Sequence, residues 1–237
     1  MLPLTEAIRA SVAGVTDALR RAEAQTGRRP GSVRLVAVTK TVPTERVLEA
    51  WGAGLRLFGE SYVQEALPKV DRLPADAEWH FIGHLQSNKA RQAAEIFSLV
   101  HSLDRPSLAE ALEKAASRRA APLEVLLQVN VGDETSKAGT TFEGAVALAG
   151  RAADWPHLRV RGLMAIPPFC EDPERTRPHF RALRELRNRI AALGLPGVEM
   201  AELSMGMSGD FPVAVEEGAT LVRVGTALFG DRPPAAN

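Results

Sequence analysis

Apolar residues along the chain fall into two alternating kinds of stretch. One kind is short and dense in Val, Leu, Ile and Phe, bounded by turn residues. The other is longer, with apolar positions three and four apart. The first reads as strand buried on both faces, the second as amphipathic helix. The chain opens with a helix over Thr5–Thr26, where Ile8, Val12, Val15 and Leu19 share a stripe and Gly27 follows the end. Strands are predicted at Val33–Thr39, Leu55–Gly59, Trp79–Gly83, Leu99–Ser102, Leu123–Asn130, Val160–Ala165, Val198–Leu203 and Leu221–Val224. Helical patterns separate them: from about Thr44 to Trp51, Ser61–Val70, Ser87–Phe97, a helix capped by Ser107, Thr141–Ala153, Pro173–Leu193 and Pro212–Glu217.

Strict alternation of this kind means parallel strands joined by helical crossovers. Eight strand-plus-helix units after one extra helix predict an α/β fold, a single-domain (β/α)8 TIM-type barrel over residues 1–230. Residues 231–237 read as a frayed tail. The competing open, doubly wound sheet would want a glycine-rich fingerprint after its first strand, and Thr39-Lys40-Thr41-Val42-Pro43 is not one.

In a barrel the ligand site lies at the carboxyl ends of the strands. Lysine ends the first strand, in a chain with five lysines against 24 arginines, so Lys40 asks for a chemical reason. The seventh strand runs into Ser204-Met-Gly-Met-Ser208-Gly209-Asp210, and the eighth into Arg223-Val224-Gly225-Thr226. Loops after these two strands often hold a phosphate through backbone N–H groups and hydroxyls. An amine facing a phosphate cradle suggests a Schiff base with a phosphorylated carbonyl compound. Two classes fit: a lysine aldolase, or pyridoxal 5′-phosphate (PLP) held as an internal aldimine. Barrel aldolases place their lysine on a later strand, typically the sixth, and the sixth strand here has none. Arg223 suits the pyridine nitrogen of PLP, where a fixed guanidinium disfavours ring protonation. Its alternative is an ion pair with Glu60 or Glu202.

Lys plus Arg equals Asp plus Glu, 29 each, so the formal net charge is zero. That argues against a nucleic-acid or membrane-surface binder, which needs a basic excess. Cys170 is the only cysteine, so no internal disulfide is possible. Without a signal peptide pattern or a long apolar run, a cytoplasmic protein is expected.

Several stretches carry a resemblance: Ala37–Thr41, Gly59-Glu-Ser-Tyr-Val-Gln-Glu65, Trp79–Lys89 with its His-Leu-Gln-Ser-Asn-Lys, Gly162–Pro167, Leu203–Phe211 and Val222–Gly230. Together they resemble the YggS/PROSC family, the pyridoxal phosphate homeostasis proteins, related to the N-terminal barrel of alanine racemases. The resemblance runs from about Thr5 to Gly230. It implies that Lys40 carries PLP, that Ser204, Ser208, Gly225 and Thr226 hold its phosphate, and that Arg223 faces the ring nitrogen. Ser61 stands beside the ring where the family usually has asparagine. Val42 stands where many members have a second lysine, and Lys137 matches the family's loop lysine. The resemblance also implies intracellular PLP homeostasis and amino-acid and keto-acid balance, with little turnover. PLP, and apo PLP-dependent enzymes as acceptors, are the partners expected, and the protein is expected to be a monomer.

The rival function is a small PLP-dependent amino-acid racemase. Racemases of the related kind add a β-rich domain, whereas this chain stops at Asn237. Racemisation needs a positioned acid on each face of the substrate, and Lys40 serves only one. Other polar residues read as structural. His80 and His84 lack metal-ligand companions and are expected to make structural hydrogen bonds. Met205 and Met207 are expected to pack under their loop, and Cys170 to be inert. Lys69, Lys89 and Lys114 are expected in solvent, as is the arginine-rich face of residues 175–189.

Overall fold

Alternate residues of each strand are buried in different layers, which is what a closed barrel with an outer ring of helices requires. A computed structural model describes residues 3–132 and 138–230. Its elements are α1 (Pro3–Gln25), β1 (Arg34–Val38), α2 (Thr44–Gly52), β2 (Leu57–Glu60), α3 (Val63–Val70), β3 (Glu78–Phe81), α4 (Ala90–Ile96), β4 (Leu99–Leu103) and α5 (Pro106–Ala116). They continue with β5 (Leu123–Val129), α6 (Phe142–Gly150), β6 (Leu158–Ala165), α7 (Arg177–Ala191), β7 (Val198–Ser204), α8 (Phe211–Glu216), β8 (Leu221–Val224) and α9 (Thr226–Phe229). The strands pair in chain order, all parallel, and β8 closes on β1.

Two apolar layers result. Val36, Leu57, Leu99, Leu126, Met164 and Leu221 form a small cluster inside the lumen. Their strand neighbours Ala37, Phe58, Val100, Leu127, Leu163 and Val222 face outward and join helix residues such as Val47, Ala93, Leu112, Phe180 and Ile190 in the main core. The lumen floor is ionic, with Arg34 3.3 Å from Glu78 and 3.9 Å from Glu202. The extra helix α1 packs on α8 and α9 outside the barrel. Its buried Glu23 accepts hydrogen bonds from the backbone of Gly31 and Val33 and so fixes the approach to β1.

The helix starting near residue 106 differs from expectation. Pro106 is its first residue and Ser107 lies inside the first turn, so Ser107 is not the cap. Thr141 does cap α6, accepting from the Gly144 N–H at 3.0 Å. The arginine-rich helix is more than a solvated face: Arg177, Arg181 and Arg184 converge on the buried Glu217 after α8. Helix α9, a single turn after β8, has no counterpart among the predicted elements. Lys137 and residues 231–237 lie outside the described residues.

Candidate functional site

Lys40 leaves β1 two residues after Val38, on the lumen side of the alternation, and stands exposed at the top of the barrel. Its two neighbours are pinned. The Thr39 hydroxyl donates to Glu60 Oε1 at 2.6 Å, and the Thr39 carbonyl accepts from Lys69 Nζ at 2.7 Å. Thr41 has φ +59°, a left-handed conformation rare for a β-branched residue. Its N–H donates to Glu65 Oε2 at 2.7 Å. Lys69 is therefore not in solvent. It is 4% exposed in the layer between β2 and α3, with Nζ 2.6 Å from Glu60 Oε1. Burial raises the Glu60 carboxyl above its usual range, opposed by Lys69, and its Oε2 has no hydrogen-bond partner among the described residues. The sequence hides this pair because Glu65 and Lys69, four apart on a helix, look like a surface pair.

β1 and β8 stay in register up to Ala37 opposite Val224, so Lys40 and the Gly225–Thr226 turn leave adjacent strand ends. A cavity of about 780 Å³ lies between them. Lys40, Thr41, Ser61, Tyr62, Ser208, Gly209, Asp210, Arg223, Gly225 and Thr226 line it, and Val38, Ile82, Ile166 and Met207 give it an apolar wall. Gly225 is the N-cap of α9 and Thr226 its first residue, so first-turn N–H groups face this region. The Ser208 hydroxyl bridges the two loops, accepting from the Ala227 N–H at 3.3 Å. Gly206 has φ +90°, and a Cβ there would lie 2.6 Å from the Ala214 Cβ, so the loop needs glycine to turn back onto α8. Gly83 is equally constrained: a Cβ would sit 2.2 Å from the Ser61 carbonyl oxygen.

Six of the seven residues expected at the site line this cavity: Lys40, Ser61, Ser208, Arg223, Gly225 and Thr226. Ser204 does not. As the last residue of β7 it is fully buried in the lumen, with its hydroxyl 2.9 Å from His101 Nδ1 and 2.6 Å from the Arg223 guanidinium. Arg223 pairs with neither Glu60 nor Glu202; its guanidinium also donates to the Ala165 carbonyl at 2.8 Å. Burial pulls the guanidinium down to about 10, with Asp210 opposing, so it remains a cation at neutral pH. Asp210, raised by its own burial, was not singled out from the sequence, although it ends the Ser-Met-Gly-Met-Ser-Gly-Asp run. Met205 is buried as expected, but Met207 lines the cavity. So do Phe169, 86% exposed at the rim, and Cys170. A second cavity of about 610 Å³ lies on the other side of Lys40 and Ser61, with His84, Lys89 and Gln128 in its wall. No group of three metal-ligating side chains occurs among the described residues.

The structure also draws in His101, which sequence reasoning passed over inside an apolar strand. It lies 3.0 Å from His80, which in turn lies 2.8 Å from Glu78. Burial holds both imidazoles below their ordinary range. The unfolded chain takes up protons near pH ~6.5 that these folded rings refuse. Their contribution is therefore complete above that pH and is lost as pH falls, at a limiting slope of about 1.4 kcal/mol per pH unit for each ring. Glu60 and Asp210, raised by burial, act in the opposite sense. Urea unfolding between about pH 7 and pH 5.5 should show stability falling with acid. The slope should shrink in His101→Gln; an unchanged slope would contradict a buried neutral His101.

Residues 15–233 match the family described as alanine racemase, N-terminal domain. The pyridoxal phosphate homeostasis protein of Pseudomonas aeruginosa is 48% identical over 224 residues, covering 94% of each chain. This chain belongs to the pyridoxal phosphate homeostasis protein family. The structure of PipY from Synechococcus elongatus PCC7942 with PLP bound has a TM-score of 0.78 at 40% identity, covering 90% of this chain and 99% of that one. An alanine racemase from Corynebacterium glutamicum shares the fold, with a TM-score of 0.72 at 19% identity, and this chain covers 63% of it.

Proposed function

We propose that this protein binds PLP through Lys40 and holds it as a reserve for the cell, with little turnover of its own. The observation that carries this reading is one cavity with an amine on the β1 end and hydroxyl and N–H donors with a cation on the neighbouring β8 end. The residues fit the group. Lys40 supplies the amine for its aldehyde, Ser208, Gly209, Gly225 and Thr226 supply hydroxyl and N–H donors for its phosphate, and the apolar wall suits its ring. When bound, PLP supplies a reactive carbonyl and an electron sink. Arg223 would restrain the latter: its buried guanidinium would disfavour a second positive charge on the ring. Ser61 offers a hydroxyl where a longer amide would reach further. Apo forms of PLP-dependent enzymes are the natural acceptors of a cofactor held this way. No helix among the described residues is long and apolar enough to cross a membrane.

Charge-assisted hydrogen bonds to a phosphate are worth about 1.5–3 kcal/mol each. Titration with pyridoxal, which lacks the phosphate, should therefore show affinity at least about a hundredfold below that for PLP. Equal affinities would remove the cradle from the account. A racemase would need a second acid–base residue besides Lys40; Tyr62, the chain's only tyrosine, borders both cavities and is 48% exposed. Incubating PLP-loaded protein with L-alanine in D₂O separates the two. The reserve reading expects no rapid exchange at Cα; fast deuteration with loss of chirality would make the protein a racemase.

A further inference from the structure

Glu78, His80, His101, Ser204 and Arg223 form one continuous line of hydrogen bonds through the lumen. Glu78 Oε1 lies 2.8 Å from His80 Nε2, and His80 Nδ1 lies 3.0 Å from His101 Nε2. His101 Nδ1 lies 2.9 Å from Ser204 Oγ, which accepts from the Arg223 guanidinium at 2.6 Å. The line starts on the floor of the barrel, at the first residue of β3, and ends in the wall of the cavity. It crosses from β3 and β4 to β7 and β8, so no short stretch of sequence contains it.

The two ends decide where the protons sit. A guanidinium can only donate, and an ionised carboxylate can only accept. A neutral imidazole has one donor and one acceptor nitrogen. Facing Glu78, His80 must carry its proton on Nε2. Its Nδ1 is then an acceptor, so His101 must also carry its proton on Nε2. His101 Nδ1 in turn accepts from the Ser204 hydroxyl. Every bond then points the same way, from the cation to the carboxylate. The opposite choice would turn a bare nitrogen lone pair onto the carboxylate. Glu78 is well secured as an anion: Ser98 donates to Oε1 at 3.1 Å and Arg34 to Oε2 at 3.3 Å. The His80 hydrogen bond, opposed by burial, holds the Glu78 carboxyl down at about 2. Burial keeps both rings neutral.

We propose that this line is a positioning relay, in which Glu78 at the far end of the barrel locks both imidazoles in the Nε2–H form and, through Ser204, fixes how Arg223 presents its charge to the cavity. Its functional consequence rests on the PLP reading above; its proton arrangement does not. Glu78 and His80 are thus residues outside the cavity that set the electrostatics inside it. The relay also explains why Ser204 stays below the cavity: its hydroxyl is the joint between His101 and Arg223.

The test uses histidine-¹⁵N-labelled full-length protein without cofactor. Long-range ¹H–¹⁵N correlation should show His80 and His101 as neutral Nε2–H tautomers; a dominant Nδ1–H form or an imidazolium at either ring would overturn the relay. Glu78→Ala removes the acceptor from a partly exposed floor position. It should produce a measurable Nδ1–H population at both rings, whereas Glu124→Ala, which removes a carboxylate near the start of β5 that pairs with Arg161 at 3.4 Å and lies outside the line, should not. Tautomers as uniform in Glu78→Ala as in wild type would also overturn it. With PLP added, Glu78→Ala should keep its link to Lys40 yet shift the visible absorption maximum, while Glu124→Ala matches wild type. An unshifted maximum overturns the link between relay and cavity. If wild type takes up no PLP, the functional reading fails, and the cofactor-free tautomers still decide the relay.

Discussion

Lys40→Ala protein is expected to fold normally and to lose its covalent hold on PLP. The side chain is exposed at the cavity mouth and fills no core position, so its removal leaves no cavity behind. Its neighbours Thr39 and Thr41 are held through backbone groups and the Thr39 hydroxyl, and these contacts survive truncation of Lys40. The cradle residues and Arg223 remain, so the variant should still bind PLP, but reversibly. Dialysis should strip the variant completely while wild type stays coloured. A Lys40→Ala protein that stays coloured through dialysis and is then bleached by borohydride would show that another amine carries the cofactor.

Lys69→Met is expected to cost about 3–5 kcal/mol of stability, because it strands a buried carboxylate. Glu60 is fully buried and Lys69 supplies its opposing charge. With Lys69 gone, the burial that already raises the Glu60 carboxyl acts with less opposition. The group then escapes by binding a proton, so the loss should grow as pH rises. The double variant Lys69→Met, Glu60→Gln should recover most of the loss, since removing both charges ends the desolvation penalty. Urea unfolding of both variants checks this. A single variant within about 1 kcal/mol of wild type would mean that Glu60 is not held as an anion. The same substitution removes the donor to the Thr39 carbonyl, so PLP affinity should fall along with stability.

The barrel was legible because parallel strands buried on both faces are nearly continuous apolar runs, and eight of them alternate with helical spacing. That Lys40, Ser208, Gly225 and Thr226 would gather around one cavity was legible because strand ends are where a barrel binds ligands. What escaped depends on pairing across long sequence separations. His101 and Ser204 are 103 residues apart, and nothing local marks either as half of a contact. Ser204 was read as a phosphate ligand because its loop carries two serines, and only the strand register shows that one of them points into the lumen. Lys69 was placed in solvent because helical spacing shows which residues share a face, not which strand lies under it. Helix α9 was missed because four residues cannot establish a period.

Lys40 is proposed above as the amine that carries PLP. Wild-type protein loaded with PLP, reduced with borohydride, digested and sequenced by mass spectrometry tests it in one step. The pyridoxyl mass is expected on the peptide containing Thr39-Lys40-Thr41. Stoichiometric modification at Lys69, Lys89, Lys114 or Lys137 instead, with Lys40 unmodified, would contradict it.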